Sequence, residues 1–152
     1  MAIEAPISKF KKNNLKIYIV VCIAIAVWCA YDGYFNETWI QEHTDAEGNA
    51  ETYLVFNREA PYYLISGAIL LGVYLYLIRS RKLVADENCL VAGKRSISYD
   101  SIEKIDKTHF DSKGFFTIIY KDSNGSEAKY KVNDRNYDNL GAVLEHLVAQ
   151  IT

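Results

Sequence analysis

The feature that most constrains this chain is an uncharged run over residues 60–78, which reads APYYLISGAILLGVYLYLI. Charged residues bracket it, with Arg58 and Glu59 before it and Arg79, Arg81 and Lys82 after it. At roughly 1.5 Å of rise per residue, a helix of this length matches the hydrocarbon thickness of a bilayer. The run therefore predicts a transmembrane helix over residues 61–80. Its first residue is Pro61, because a missing N–H is tolerated in the first turn of a helix.

A second apolar run, over residues 17–31, reads IYIVVCIAIAVWCAY. It is long enough to cross a membrane if Leu15 and a snorkelling Lys16 are included, which gives a helix over residues 15–35. A cleaved signal peptide is the alternative, since it also combines a basic start with an apolar stretch. Trp28 and Tyr31 stand where a cleavage site needs small residues, so the sequence favours a retained helix.

The charges indicate the orientation of the two helices. Lys9, Lys11, Lys12 and Lys16 precede the first run, and three bases follow the second. Residues 32–60 carry seven acids and Arg58 as their single base. Positive flanks stay in the cytoplasm. We therefore expect a bacterial inner-membrane protein with both termini cytoplasmic, a cytoplasmic segment over residues 1–14 and an extracytoplasmic loop over residues 36–60.

Small side chains on both helices predict close helix packing, within the hairpin or against another subunit. These candidate packing residues are Ala24, Ala26, Ser66, Gly67 and Gly72.

The acidic loop has a turn signal at Glu47-Gly48-Asn49 and a segment of strand character at 52–56. We expect residues 38–41 and 52–56 to pair as a small β-hairpin.

Residues 82–152 predict a small α+β domain. Short strands are expected at 82–86, 89–92, 96–99, 102–109 and 115–121, and Asp122-Ser123-Asn124-Gly125 is a hairpin signal before an alternating strand. Leu140, Val143, Leu144, Leu147, Val148 and Ile151 then recur at helical spacing. An amphipathic C-terminal helix is predicted, beginning near Asp134 or Asn136.

Three segments and the final helix together resemble a bacterial pleckstrin-homology-like (PH-like) domain. The segments are LVAD at 83–86, ISYDSIEKID at 97–106 and KGFFTIIY at 113–120. The resemblance covers roughly residues 82–152 and leaves the two apolar runs unmatched. It implies a bent antiparallel sheet, nearly a barrel, with the helix packed over one open end.

Phosphoinositide-binding relatives of that fold use bases in the turn between their first two strands. This chain has Asp86-Glu87-Asn88 at the turn that the sequence assigns to that place, which argues against carrying over that specificity. Anionic headgroups have other candidate contacts in the bases that flank the second run and in the turn Gly93-Lys94-Arg95. The candidate headgroup contacts are Arg79, Arg81, Lys82, Lys94 and Arg95. The alternative is an ordinary positive flank and a solvated turn.

No catalytic, metal-binding or cofactor-binding residue is predicted. His43, His109 and His146 are scattered singly, and Cys22, Cys29 and Cys89 suit small buried hydrophobes. His109 lies near Asp111 and Ser112, but no nucleophile turn accompanies them. A net charge of −2 with balanced signs in the tail gives no footprint for nucleic acid.

We therefore expect a non-catalytic integral membrane scaffold or accessory subunit whose cytoplasmic PH-like domain binds protein. Its expected partners are membrane lipids and either other membrane subunits or further copies of itself. The alternative is a membrane-tethered sensor that binds anionic lipid headgroups or a small ligand through Lys94 and Arg95. A catalytic role would require a pocket with converging titratable groups.

Overall fold

The computed structural model describes residues 2–151, which form two compact units. The first unit combines the chain up to Lys12 with the chain from Leu77 onward, and the second is Asn13–Tyr76. The helices are α1 (Lys9–Tyr34), α2 (Glu37–Glu42), α3 (Thr52–Ile78), α4 (Phe110–Lys113) and α5 (Leu140–Ile151). The strands are β1 (Ile3–Pro6), β2 (Lys82–Ala85), β3 (Cys89–Ala92), β4 (Arg95–Ser98), β5 (Ile102–Asp106), β6 (Phe115–Lys121) and β7 (Glu127–Asn133).

The first unit is a small antiparallel-sheet domain with a C-terminal helix. One sheet has the strand order β1-β2-β3-β4, and the other has the order β5-β6-β7. The apolar face of α5 contributes Leu140, Val143 and Leu147 to a common core. The strands contribute Ala5, Leu83, Ala85, Leu90, Ile97, Phe116, Ile118 and Val132 to it. The predicted α+β domain and its C-terminal helix are therefore confirmed, although α5 begins at Leu140, after Asn139 in a left-handed conformation.

Strand β1 changes the predicted domain boundaries. Residues 1–14 were expected to be a separate cytoplasmic segment, but Ile3 pairs with Ala85 and Pro6 pairs with Lys82. Ala5 is fully buried in the core, and Ile7 is 4% exposed. The sequence did not reveal this strand because it has four residues, ends in proline and lies far from its partner in the chain. The domain thus consists of two segments of chain, and α1, α2 and α3 lie in the connection between β1 and β2.

The second unit contains most of α1 and α3, which are both long and apolar enough to span a membrane. They extend beyond the predicted ranges 15–35 and 61–80, since α1 begins at Lys9 and α3 begins at Thr52. Pro61 lies inside α3 and does not start it. Because proline has no N–H, the Asn57 carbonyl has no donor at the usual helical spacing.

The predicted hairpin in the acidic loop is wrong. Residues 38–41 lie in α2, and residues 52–56 form the start of α3. The Asn36 side chain caps α2 by accepting from the Trp39 N–H at 3.3 Å, which favours a helix there. A single bridge between Thr44 and Ala50 is the remaining β pairing within this loop.

Candidate functional site

The strand register places the basic turn at a defined end of the four-stranded sheet. Lys82 pairs with Pro6, and Leu83 pairs with Ala92, immediately before Gly93-Lys94. The chain enters α1 shortly after Pro6 and leaves α3 shortly before Lys82. The Lys94-Arg95 turn therefore lies at the end of the sheet where the connections to both long helices leave the domain. We call this end the connection end.

The first turn of α1 is held at the connection end by polar contacts with the turn after β7. The Ser8 side chain is fully buried, donates to the Arg135 carbonyl and accepts from the Lys11 N–H. The Asp138 carboxylate accepts from the Lys9 N–H at 3.1 Å. A carboxylate at a helix N-terminus is favourable because the exposed N–H groups there are partly positive. These contacts fix the start of α1 within the sheet domain.

Bases outnumber acids at the connection end. The segments that meet there are residues 4–12, 79–82, 93–95 and 134–138. Their bases are Lys9, Lys11, Lys12, Arg79, Arg81, Lys82, Lys94, Arg95 and Arg135. The acids there are Glu4, Asp134 and Asp138. The Asp86-Glu87-Asn88 turn and the Asp122–Gly125 turn, at the other ends of their strands, contain no base. The domain therefore has a positive end and two acidic turns far from it along the strands.

The five candidate headgroup residues are exposed and all lie near this end, but they differ in their partners. Lys82 forms an ion pair with Glu4, so part of its charge is neutralised. The Arg95 guanidinium lies over the Tyr130 ring, 5.2 Å from its centroid. Together with Lys94 and Ala92, these two residues line an open cleft of about 570 Å³. Burial raises the pKa of Tyr130 to about 12, so its phenol stays neutral at ordinary pH.

The register also corrects the assignment of the acidic turn. Asp86-Glu87-Asn88 joins β2 to β3, because β1 precedes the long helices. This turn is therefore the second connection of the sheet. The first connection joins β1 to β2 through the long helices, and the lack of bases at Asp86-Glu87-Asn88 does not describe it. The sequence did not predict that Ser8, Lys9 and Arg135 lie together at the connection end, because their proximity depends on the unpredicted strand β1.

The candidate helix-packing residues differ in how closely they are packed. Ala26 is buried, but Ala24 and Ser66 are exposed, and a Cβ added to Gly67 or Gly72 would meet no atom within 4 Å. The close approach occurs at Gly33, where an added Cβ would lie 3.0 Å from the Asn57 carbonyl oxygen. Packing of Gly67 and Gly72 against another chain stays a prediction.

The histidines lie in three separate places. His43 stacks on Trp39, His109 lies against Phe115, and the Nε2 of His146 lies 3.1 Å from the Asp86 carbonyl oxygen. Within residues 2–151, no three His, Cys, Asp or Glu side chains are grouped so that they could hold a metal ion.

Two carboxyl groups have lowered pKa values because they accept hydrogen bonds in turns. The largest effect on the pKa of Asp45 is a hydrogen bond from the backbone N–H of Asn49, and the largest effect on the pKa of Asp106 is a hydrogen bond from the Thr108 side chain. Both carboxylates are exposed and organise their own loops.

No family model matches this chain, and comparisons with curated proteins and with solved structures find no match to it.

Proposed function

We propose that this chain is a non-catalytic membrane protein in which α1 and α3 cross the bilayer in opposite directions. The pairing of β1 with β2 carries the proposal. Two strands of one sheet must lie on the same side of a membrane, and these two flank the pair of long apolar helices. An even number of crossings follows. The bases before α1 and after α3 favour the cytoplasm for that side.

The sheet domain, in this proposal, has a PH-like fold. Support comes from its four-stranded and three-stranded antiparallel sheets and from the amphipathic α5 that follows them. Because α1 and α3 lie between β1 and β2, the domain would be attached to the bilayer through both strands.

The function that this arrangement favours is contact with anionic lipid headgroups through the connection end. Each base near an anionic surface contributes about 1 kcal/mol. Lys94 and Arg95 are exposed and lie where the chain enters and leaves the proposed crossings. The domain would thus act as a membrane-tethered sensor of the charge of its own leaflet.

The test uses the full chain, because the segment 82–152 lacks β1 and would leave the edge of β2 unpaired. Hydrogen exchange of the Gly93–Arg95 amides is compared in neutral and anionic nanodiscs. We expect slower exchange in anionic nanodiscs, lost in about 1 M salt, where the screening length falls to about 3 Å. The Lys94→Ala/Arg95→Ala double variant should abolish the difference.

The matched control is Lys121→Ala/Lys129→Ala, which removes two exposed bases from the β6–β7 hairpin. It should leave the difference between nanodiscs intact. Exchange that is equal in both lipids for the unmodified chain would dispose of headgroup sensing.

The second candidate is a scaffold or accessory subunit that packs against another membrane protein or another copy of itself. The open space beside Gly67 and Gly72 on α3 favours it, because small residues allow the close approach of a second helix. Purification in mild detergent followed by mass measurement tests it. A Gly67→Leu/Gly72→Leu variant should lose the associated chain, and an Ile65→Leu control should retain it. A strictly monomeric chain without partners would exclude this role.

A further inference from the structure

The helical unit contains a cleft at the end of α1, about 320 Å³ in volume. Its walls come from α1, α2 and α3, and it is lined by Ile25, Trp28, Cys29, Asp32, Trp39 and Asn57. Clefts of roughly 300 Å³ or more are large enough for a small ligand or a lipid headgroup. Most of the lining is apolar, and Asp32 is the single ionisable acid in it.

The Asp32 carboxylate is held in position by two donors. The Trp28 indole donates to one oxygen at 2.7 Å, and the Asn36 amide donates to the other at 2.9 Å. An ionised carboxylate offers about four acceptor sites, so these bonds leave room for a further donor. Asp32 also lines a second cleft, together with Ala24, Val27, Trp28 and Tyr31. A positioned and half-buried carboxylate beside apolar walls is suited to a cationic group.

The aromatic surroundings point to the same ligand chemistry. Trp28 is 72% exposed, and Tyr31 is also exposed beside it. An ammonium group over an indole face gains about 0.5–1 kcal/mol at an exposed site. Residues 32–60 carry seven acids, whereas their single base, Arg58, donates to the Gly33 carbonyl at 3.0 Å. The local charge therefore favours a cation over an anion.

Trp39 adds a requirement for an acceptor. Its Nε1 is shielded from solvent and has no hydrogen-bond partner within residues 2–151. Leaving such a donor unpaired costs about 1–3 kcal/mol. A ligand that brings an oxygen to the indole would remove that cost, provided that the ring shifts enough to uncover the N–H.

We propose that this cleft binds the ammonium-bearing headgroup of a phospholipid. The ammonium lies on Asp32 beside the Trp28 ring, a headgroup or ester oxygen accepts from Trp39, and the acyl chain follows the apolar side of α1. This inference rests on the proposed membrane crossings, and it assigns to the chain a lipid site separate from the connection end.

The chain has two tryptophans, and both line the cleft, so its indole fluorescence reports on this site. The full chain is placed in nanodiscs that contain phosphatidylethanolamine or phosphatidylglycerol with brominated acyl chains. We expect brominated phosphatidylethanolamine to quench the emission at about tenfold lower mole fraction than brominated phosphatidylglycerol. Asp32→Asn keeps an acceptor for Trp28 but removes the charge, and it should abolish that preference.

Glu37→Gln is the matched control, because it removes an exposed acid of α2 outside the cleft. It should retain the preference. Equal quenching by both lipids, or a preference that survives Asp32→Asn, would overturn the site. Resistance to an alkaline carbonate wash is measured for the same proteins in native membranes. A chain that the wash extracts contradicts the crossings themselves, whereas a retained chain without lipid preference contradicts the cleft alone.

Discussion

Ser8 is the buried polar residue that joins α1 to the sheet domain. Its hydroxyl donates to the Arg135 carbonyl and accepts from the Lys11 N–H. Ser8→Ala should therefore lower the free energy of unfolding of the domain by about 1–3 kcal/mol, since it removes a helix cap and the hydrogen bond to the Arg135 carbonyl. Calorimetry of the full chain in detergent measures this loss. Ser123→Ala, in an exposed turn, is the control and should change the midpoint little; equal midpoints for both variants would contradict the role of Ser8.

Tyr130 gives the domain a dependence on alkaline pH. Burial raises its pKa to about 12 from a usual value of 10.0, so the folded state favours the neutral phenol. The resulting stabilisation is complete below pH 10 and is lost as the pH rises from 10 toward about 12. Because the ring is half-exposed, we expect this loss to be on the order of 1 kcal/mol.

The measurement is the thermal midpoint of the full chain between pH 9 and pH 11. Tyr130→Phe should show a smaller decline than the unmodified chain, although burial also raises the pKa of Tyr99 to about 12 and a residual decline should remain. Tyr63→Phe, on exposed α3 surface, is the control. A decline of the same size in all three proteins would contradict the assignment to Tyr130.

At the scale of elements, the contact between α1 and α3 at Gly33 is tight. A Cβ there would lie 3.0 Å from backbone atoms of Asn57, which cannot move without displacing α3. Gly33→Ala should therefore destabilise the helical unit by about 1–3 kcal/mol. Gly67→Ala provides the matched control, because the same change meets open space and improves helix propensity. In detergent, the thermal midpoint of Gly33→Ala should lie below that of the unmodified chain, and the midpoint of Gly67→Ala should equal or exceed it. The reverse order of midpoints would show that α1 and α3 do not meet at Gly33.

The elements also show what sequence patterns can and cannot reveal. Cys89–Ala92 and Phe115–Lys121 are strands over the predicted ranges, because they combine β-branched and aromatic residues with clear turn signals. The turn at Asp122–Gly125 follows from the positive φ of Gly125. By contrast, residues 52–56 have β propensity but lie in α3. Local propensity is a weak guide where a helix can continue into a long apolar run.

The candidate sites were predictable only in part. Lys94 and Arg95 stand out as a compact basic turn, but their place at the connection end depends on the pairing of β1 with β2. The cleft at Asp32 depends on α2 folding back as a helix beside α1, which the sequence did not indicate. The sequence thus identifies the residue types that could form a site. Which of those residues lie close together depends on contacts between distant parts of the chain, which the sequence does not reveal.

At the scale of the whole molecule, β1 connects the two ends of the helical insertion through the sheet. Cleavage of the loop near Gly48 should therefore leave the two fragments associated, since β1 belongs to one fragment and β2 to the other. A protease site inserted after Glu47, followed by purification through a tag on the C-terminal fragment, tests this. We expect both fragments to co-purify in mild detergent.

The control deletes residues 2–7 and so removes β1 while keeping both long helices. Retention of the N-terminal fragment should then fall severalfold. Separation of the fragments in the undeleted chain would contradict the pairing of β1 with β2, and equal retention in the deleted chain would assign the association to the helices alone.

The insertion between β1 and β2 also sets an order for biosynthesis. β1 is translated before α1, α2 and α3, and its partner strand β2 emerges only after all three helices. In the proposed topology, the nascent β1 therefore waits unpaired in the cytosol while α1 and α3 are inserted into the membrane. If the two helices cross as proposed, the sheet closes only when α3 has returned the chain to the side of the membrane that holds β1, and a failed insertion would leave an open strand edge that cellular proteases can recognise.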